Sequence, residues 1–194
     1  MSVGLLGGSF DPAHEGHVHI TREAIARIGL DQVWWLVSPG NPLKERTPAP
    51  LLQRMVEARR ILAGDTRVTV TDIEARLGTR LTIDTIARLQ ALCPDVCFVW
   101  LMGADNLRDF HHWADWQGIM SRIPVAVLAR PGSEDAADHA EAARVFRQAR
   151  TFRAADLLHE PPPIWAFLDM PGHTASSTEI RARGEWPFRA EHGE

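Results

Sequence analysis

Two histidines in a glycine-rich segment near the N-terminus are the residues of this sequence best suited to chemistry. Residues 7–17 read Gly-Gly-Ser-Phe-Asp-Pro-Ala-His-Glu-Gly-His and follow the apolar run Val3–Leu6. The run predicts a buried first strand, so His14 and His17 fall where the following loop enters a helix. Glycines let a backbone approach an anion closely, and a helix N-terminus offers the anion unpaired N–H groups. We therefore interpret residues 7–17, the N-terminal motif, as a phosphate site with both imidazoles on one face of the first helical turn.

The N-terminal motif lacks the spacing of other common phosphate and metal motifs. Neither the P-loop pattern nor the dinucleotide pattern G-x-G-x-x-G follows the first strand. Val18 stands where the second histidine of a zinc-binding H-E-x-x-H helix would be needed, so no resident metal is predicted. His19 is expected to pack or to be solvated. The plain alternative for His14 and His17 is a helix start that carries two exposed imidazoles.

A second cluster of candidate residues, Ser176-Ser177-Thr178-Glu179-Ile180-Arg181, forms the C-terminal motif. Ser176 and Glu179 have the S-x-x-E spacing of a capping box, which starts many helices. Three hydroxyls and unpaired N–H groups at a helix start, with Arg181 one turn on, would also bind an oxyanion. Beside the N-terminal motif, this segment favours anion binding.

Apolar runs of strand length alternate with amphipathic runs of helix length along the chain. The predicted strands are Val3–Gly7, Val33–Val37, Val68–Thr71, Val96–Met102, Val125–Ala129 and Ile164–Leu168. The predicted helices are Gly16–Ile28, Leu51–Leu62, Ile83–Leu92, Trp113–Met120, Ala136–Ala149 and one that opens at Ser176 or Ser177. The alternation predicts a Rossmann-like α/β fold, a doubly wound parallel sheet of order 3-2-1-4-5 plus a late strand, with helices on both faces.

The predicted strand order brings two unusual loops side by side. In such a sheet, ligands bind beyond the carboxyl ends of the strands where the order reverses, here between strands 1 and 4. The N-terminal motif follows strand 1, and Gly103-Ala104-Asp105-Asn106 follows strand 4. Asp105 would hold ribose hydroxyls or a metal there, or simply cap a short helix. Lys44, in the loop after the neighbouring strand 2, would reach the same crevice or remain a solvated lysine.

Aromatic and hydroxyl side chains farther along the chain are candidates for binding a flat ring and a carboxylate. Trp113 and Trp116 lie three apart on a predicted helix. That spacing is most typical of core residues, although a tryptophan at a cleft rim would stack on a ring. Thr82 is a candidate N-cap of the helix Ile83–Leu92, and the same helix start would also receive a ligand carboxylate on its N–H groups.

Composition and charge favour a cytoplasmic protein of one domain. Of the 194 residues, 45% are hydrophobic and 24% charged, and we expect a single domain over residues 1–184 with a polar, frayed tail over 185–194. The net charge of −4 argues against a general nucleic-acid binder. No apolar run reaches the roughly 18 residues of a membrane helix, and no secretory signal is predicted. Cys93 and Cys97 lack the spacing of redox or zinc sites and are expected to be reduced core thiols.

The two motifs together resemble those of the nucleotidyltransferase superfamily, and more narrowly those of bacterial nicotinate-nucleotide adenylyltransferases. The matching residues are Gly8-Ser9-Phe10-Asp11-Pro12-x-His14-x-Gly16-His17 and Ser176-Ser177-Thr178-x-Ile180-Arg181. Weaker matches, in the same order along the chain, are Pro39–Lys44, Leu81–Thr85, Gly103–Asp105, Trp113 and Arg130–Gly132. The resemblance implies transfer of an adenylyl group from ATP to nicotinate mononucleotide with Mg²⁺, giving deamido-NAD and pyrophosphate in NAD biosynthesis.

The resemblance also implies roles for individual residues. Catalysis would involve His14, His17, Lys44 and Arg181. ATP would be bound by Gly8, Ser9, Phe10, His14, His17, Gly103, Asp105, Ser176, Ser177, Thr178 and Arg181. The acceptor would be bound by Lys44, Thr82, Trp113 and Arg130, with Trp113 stacked on the pyridine ring.

Two departures from the family pattern leave alternatives open. Leu43 stands where the family often has a histidine, and Trp186-Pro187-Phe188 with a polar tail follows the C-terminal motif in place of a further helix. The alternatives are an adenylyltransferase acting on nicotinamide mononucleotide or phosphopantetheine, a cytidylyltransferase, and a nucleotide-binding regulator without turnover. The expected partners are ATP and the acceptor, without nucleic acid or membrane, and assembly into a homo-oligomer stays open.

Overall fold

A parallel sheet of seven strands forms the centre of the computed structural model, which describes residues 1–40, 47–129, 136–170 and 177–186. The strands are β1 (Ser2–Gly8), β2 (Gln32–Val37), β3 (Val68–Thr71), β4 (Cys97–Gly103), β5 (Val125–Ala129), β6 (Arg150–Thr151) and β7 (Trp165–Asp169). Their order is β3-β2-β1-β4-β5-β7-β6, and every neighbouring pair is parallel. The predicted order 3-2-1-4-5 is confirmed, and the predicted late strand is β7. The short edge strand β6 has no counterpart among the predicted strands.

The described helices lie between these strands along the chain, as crossover connections of parallel strands require. They are α1 (Glu15–Ala24), α2 (Leu51–Ile61), α3 (Ile73–Leu77), α4 (Thr82–Leu92), α5 (Ala104–Asp109), α6 (Trp116–Arg122), α7 (Ala136–His139), α8 (Glu141–Val145) and α9 (Ser177–Ala182). One π-helical segment, Ile25–Gly29, continues α1, so the predicted helix Gly16–Ile28 is present in two geometries.

The sheet is buried on both faces, as a parallel sheet with crossover helices must be. Successive residues of β1 point to opposite faces, so Leu6 joins one hydrophobic cluster and Leu5 the other. The first cluster contains buried residues of α1 and α2, whereas the second contains buried residues of α4, α5, α6 and α8. This two-sided core confirms the doubly wound arrangement.

The strand order reverses at β1, which pairs with β2 on one side and β4 on the other. The carboxyl ends of β1 and β4 therefore lie side by side, and the loops after them share one edge of the sheet. Gly7, near the end of β1, is needed for this approach. A Cβ atom on Gly7 would lie 2.7 Å from Cη2 of Trp100, so the glycine makes room for the indole of β4.

Two predicted helices differ from the structure. The helix expected from Trp113 begins at Trp116, because the Asp115 side chain accepts a hydrogen bond from the Gly118 amide at 3.2 Å and caps α6 there. The helix expected over Ala136–Ala149 is divided into α7, α8 and a 3₁₀ turn, because Ala140 has extended backbone (φ −63°, ψ 137°).

The cysteine prediction is wrong in part. Both cysteines are free thiols, and Cys93 is half-buried, but Cys97 is exposed and is therefore not a core residue. Cys97 is the first residue of β4, at the amino edge of the sheet, where the core clusters end. None of the helices in the described part of the chain has the length and apolar character needed to cross a bilayer.

Candidate functional site

The loop after β1 turns sharply into α1 and places His14 at the helix start. Phe10 has a positive φ of 47°, and its buried ring points inward from the loop. His14 is the N-cap of α1, and its Nδ1 accepts a hydrogen bond from the Gly16 amide at 3.1 Å. His17 completes a capping box, because its Nδ1 accepts from the His14 amide at 3.2 Å.

These bonds determine which nitrogen of each imidazole carries the proton. Nδ1 accepts from a backbone N–H in both His14 and His17, so the neutral ring carries its proton on Nε2. Each ring then presents an N–H donor on the side opposite the backbone. The ring centroids are 3.9 Å apart, and His14 is only 5% exposed while His17 is half-buried. The alternative of two exposed imidazoles is wrong.

The C-terminal motif contacts the N-terminal motif directly. Ser177 Oγ donates to the Pro12 carbonyl at 2.9 Å, and Arg181 Nη1 donates to the Asp11 carbonyl. Arg181 Nη2 also donates to Thr178 Oγ1 at 3.2 Å, within α9. Two clusters about 170 residues apart in sequence therefore form one site at the carboxyl edge of the sheet.

Arg54 of α2 is a structural residue of this site that the sequence interpretation missed. Its side chain is 0% exposed and binds three backbone carbonyls: Nη1 donates to Ser9 at 2.6 Å and to Ser38 at 2.9 Å, and Nε donates to Ala49 at 2.7 Å. Burial lowers the pKa of the Arg54 guanidinium, and the negative charge of Asp11 opposes that shift. One side chain thus ties the loop after β1 to the loop after β2 and to the segment before α2.

A sequence signal for Arg54 does exist. Arg54, Met55 and Ala58 are the buried residues of α2, so the arginine occupies the apolar face of its helix. A charged residue at a core position of an amphipathic helix indicates a buried partner.

Asp11 and Trp186 form a further contact that the sequence interpretation missed. Asp11 Oδ1 accepts from the Trp186 indole at 2.9 Å and from the Ala49 amide at 3.3 Å. Trp186 belongs to the segment 185–194 that was expected to be a polar tail, and its indole is nevertheless held by Asp11. The indole connects the segment after α9 to the loop after β1.

Gly103 and Asp105 lie at the end of β4, as the strand order required. Gly103 is the N-cap of α5, and Asp105 is exposed in the first turn, so Asp105 does not cap the helix. A Cβ atom on Gly103 would lie 2.4 Å from Asp105 Oδ1, so the carboxylate folds closely over the glycine. Any larger residue at position 103 would displace the carboxylate.

The residues expected on the acceptor side lie on α4 and in an aromatic cluster. Thr82 is half-buried and is the first residue of α4, whereas the N-cap is Leu81, so the N-cap prediction is wrong by one position. Trp113 is half-buried and meets Trp100 and Phe110 edge-on, at 6.2 Å and 5.2 Å between ring centroids. One side of the Trp113 indole therefore packs against the core.

A buried hydroxyl pair supports the first turn of α4. Thr79 Oγ1 and Thr85 Oγ1 lie 2.8 Å apart, and Thr85 Oγ1 also donates to the Leu81 carbonyl at 3.2 Å. Burial raises the pKa of Glu74, against a weaker lowering by its hydrogen bond from Thr85. This network fixes the helix start at which an acceptor carboxylate was expected.

Three predicted site residues, Lys44, Arg130 and Ser176, lie outside the described residues, and so do Leu43 and most of the tail. The described residues on either side of the Lys44 segment include Ser38 and Ala49, which Arg54 holds. Across the described ranges, no group of three or more His, Cys, Asp or Glu residues is arranged to hold a metal ion.

Comparison with known proteins gives the same fold and family. Residues 5–183 match the family model described as cytidylyltransferase-like. A protein of Cereibacter sphaeroides named "Probable nicotinate-nucleotide adenylyltransferase" is 61% identical, over 96% of this chain and 100% of its own. One of the same name from Ruegeria pomeroyi is 55% identical, over 95% of this chain and 87% of its own.

A solved structure supports the fold at much lower identity. It is "Plasmodium falciparum nicotinic acid mononucleotide adenylyltransferase complexed with NaAD", with a TM-score of 0.69 and 16% identity, over 93% of this chain and 82% of that one. Because the family model spans most of the sequence and the relatives match over nearly their full length, this chain belongs to the cytidylyltransferase-like family, in the branch of the nicotinate-nucleotide adenylyltransferases.

Proposed function

We propose that this chain transfers the adenylyl group of ATP to nicotinate mononucleotide, forming deamido-NAD and releasing pyrophosphate. The observation that carries the proposal is the contact of Ser177 and Arg181 with the loop that presents His14 and His17. This contact brings the Arg181 guanidinium close to the loop that carries the His14 and His17 imidazoles. A triphosphate requires such a combination of a cation and N–H donors at one place. The names of the full-length relatives support the choice of acceptor.

The reaction needs alignment and charge stabilisation more than a general base. A phosphate oxygen of the acceptor, already anionic at neutral pH, attacks the α-phosphorus, and the bond to the oxygen bridging to the β-phosphorus breaks. Negative charge then develops on the departing pyrophosphate. Donors fixed before the reaction stabilise that charge without reorganising during it.

His14 and His17 are suited to this role because their capping bonds fix the donor atom. With Nδ1 of each ring occupied by a backbone N–H, the Nε2–H groups are the donors for phosphate oxygens. His14 is almost fully buried, so its donor acts in a region of low dielectric constant, where a hydrogen bond to an anion is strong. We assign His17 to the phosphate that carries the developing charge.

Arg181 supplies a permanent positive charge to the site. Its bonds to the Asp11 carbonyl and Thr178 Oγ1 orient the guanidinium beside the loop. A guanidinium has five N–H donors, so these two bonds leave donors for oxygens of the pyrophosphate. Lys44 and Ser176, by their positions in the sequence, are proposed to add a further cation and hydroxyl.

The side chains of the site are better suited to a Mg²⁺ ion that enters bound to ATP than to a metal ion held permanently by the protein. The described residues hold no cluster of three metal-ligating side chains, and Asp11 Oδ1 already accepts two N–H bonds. Mg²⁺ keeps several waters and is commonly held by substrate phosphates with one or two carboxylates. Bound in that way, Mg²⁺ would neutralise phosphate charge, with the exposed Asp105 as the nearby carboxylate on α5.

The acceptor is proposed to bind on the α4 side of the crevice. The first turn of an α-helix has unpaired N–H groups, and α4 begins at Thr82. These groups suit the carboxylate of nicotinate, and Trp113 offers the half of its indole that is not packed on Trp100 and Phe110. Arg130 and Lys44 are proposed to contact the acceptor phosphate.

An acceptor competition tests this function. The purified chain is given ATP, Mg²⁺ and, separately, nicotinate mononucleotide, nicotinamide mononucleotide or phosphopantetheine, and the products are identified by mass. Deamido-NAD and pyrophosphate from nicotinate mononucleotide are expected. Preference for phosphopantetheine overturns the proposal, preference for the nicotinamide form changes only the acceptor, and ATP binding without pyrophosphate release indicates a regulator.

The other expectations stay predictions. They are a cytoplasmic location, one domain over residues 1–184, no binding of nucleic acid or membrane, and possible assembly into a homo-oligomer. Gel filtration with light scattering measures the last of these on the same purified chain.

A further inference from the structure

A fully buried tryptophan of β2 is connected to the backbone of His17 through one hydroxyl. Trp35 is 0% exposed, and its Nε1 donates to Thr21 Oγ1 at 2.8 Å. Thr21 Oγ1 in turn donates to the His17 carbonyl at 2.8 Å. The Thr21 hydroxyl therefore accepts a hydrogen bond from β2 and donates one to the first turn of α1. The position of that turn thus depends on β2.

The same indole also supports the His17 ring through Phe10. The rings of Phe10 and Trp35 are stacked, 4.9 Å apart and inclined by 14°, and the Phe10 ring lies 4.8 Å from the His17 ring. Phe10 achieves this with a positive φ of 47°, a conformation that a non-glycine residue adopts only when its surroundings hold it there. Trp35 thus supports His17 in three ways: through Thr21, through Phe10, and by a direct tilted contact between the two rings, whose centroids are 5.9 Å apart.

Neither Trp35 nor Thr21 is placed to touch a ligand. Trp35 has no exposed surface and Thr21 is 1% exposed, so both act only through residues packed on them. The His14 and His17 rings are 3.9 Å apart and linked by the capping bonds, so a displacement of His17 also disturbs His14. The positions of the His14 and His17 rings therefore depend on two buried residues, Trp35 and Thr21.

We propose that Trp35 and Thr21 are positioning residues that fix the His17 imidazole for phosphate binding. The inference rests on the proposed function, because the orientation of His17 matters only if its Nε2–H meets a phosphate oxygen. Catalytic donors lose much of their effect when displaced by about 1 Å, so a small movement of the helical turn is enough to reduce turnover.

The simplest competing explanation is that Thr21 only satisfies a buried indole N–H, as buried donors require. Both explanations predict a loss of stability when the hydroxyl is removed. Only the positioning role predicts that the loss of turnover depends on the His17 side chain.

Thr21→Val and Trp35→Phe test the proposal. Valine keeps the shape of threonine without the hydroxyl, and phenylalanine keeps a ring to stack on Phe10 without the N–H. We expect Thr21→Val to lower kcat about tenfold, the usual effect of one buried hydrogen bond, with the KM for nicotinate mononucleotide unchanged. Thr21→Ser, which keeps the hydroxyl, should retain wild-type kcat. Trp35→Phe carries the test if Thr21→Val does not fold.

A double-mutant cycle with His17→Ala separates positioning from stability. In the His17→Ala background, Thr21→Val should cause no further loss of kcat, because the ring it positions is gone, while its effect on Tm persists. Ile28→Ala, a cavity in the π-helical segment after α1, should lower Tm with kcat intact. Equal losses of kcat in both backgrounds, or wild-type kcat in Thr21→Val, overturn the positioning role. Wild-type kcat in His17→Ala would instead refute the role of His17 in the proposed function.

Discussion

The indole Nε1 of Trp186 donates to Oδ1 of Asp11 at 2.9 Å, so the segment after α9 is bound to the loop after β1. Asp11 is at the same time the residue whose backbone carbonyl accepts from Arg181. One residue of the N-terminal motif therefore receives donors from two points of the C-terminal region. Asp11 therefore sets the position of α9 relative to the loop after β1, which presents His14 and His17.

Trp186→Phe should weaken ATP binding. The variant loses the indole N–H, so α9 and its donors Ser177 and Arg181 are held less firmly against the loop. We expect the KM for ATP to rise by roughly threefold to tenfold, which corresponds to one hydrogen bond, and the KM for the acceptor to change less. Steady-state kinetics with each substrate varied measures both. An unchanged KM for ATP together with an unchanged Tm would mean that the contact has no role.

His17→Ala should have a much larger effect, and on kcat. A preorganised donor to developing charge contributes about 10²–10³-fold to kcat. Tm should also fall, because His17 completes the capping box of α1 and packs on Phe10. His19→Ala is the matched control, since His19 lies on the same helix but outside the pair of rings 3.9 Å apart. Rapid-quench measurement of pyrophosphate release gives the chemical step directly. Turnover at the wild-type rate would remove His17 from catalysis.

The strand order and the meeting of the two motifs could be predicted because they depend on local patterns. Apolar runs of strand length and amphipathic runs of helix length alternate clearly in this sequence, and right-handed crossovers then leave few topologies. The carboxyl edge at β1 and β4 follows from that order. His14, His17, Ser177 and Arg181 were identified from motifs and lie together at this edge.

The residues that sequence interpretation missed are those whose role depends on distant contacts. Arg54 binds carbonyls of Ser9 and Ser38, and nothing in the local pattern names those partners. Trp186 similarly donates a hydrogen bond to Asp11, which lies 175 residues earlier in the sequence. The break at Ala140 is not predicted by the local pattern either, because alanine itself favours a continuous helix.

Arg54→Met should destabilise the fold more than any exposed substitution on α2. The variant removes the donor of three carbonyls, those of the buried Ala49 and of the half-buried Ser9 and Ser38. A buried acceptor without a partner costs about 1–3 kcal/mol, so the free energy of unfolding should fall by about 3 kcal/mol or more. Urea denaturation measures it. Arg60→Met, which removes an exposed side chain paired with Glu57, is the control and should change little.

Arg54→Lys refines the same prediction. An ammonium keeps the charge beside Asp11 but cannot match the planar guanidinium that reaches all three carbonyls. We expect intermediate stability. If Arg54→Met unfolds at the wild-type urea concentration, the three bonds to Ser9, Ser38 and Ala49 do not stabilise the fold.

Glu74 should make stability depend on pH in a direction opposite to that of most carboxylates. Burial raises the pKa of Glu74 in the folded chain, so the folded state favours the neutral acid. The resulting stability is fully present below about pH 4, the unfolded pKa, and is lost as the pH rises through the raised folded pKa. Glu74→Gln keeps an acceptor for Thr85 and is neutral at every pH.

The difference in stability between Glu74→Gln and the wild type should therefore grow from pH 4 to pH 8, in favour of the variant. Urea midpoints at the two pH values measure this difference. Glu160→Gln, which removes one exposed carboxylate, controls for the change in net charge. The network of Thr79 and Thr85 supports the start of α4, so the same variant should keep the KM for nicotinate mononucleotide near wild type at pH 8. A variant that is less stable than the wild type at pH 8 would show that the Glu74 carboxylate is favoured in the fold, and that burial does not dominate its ionisation.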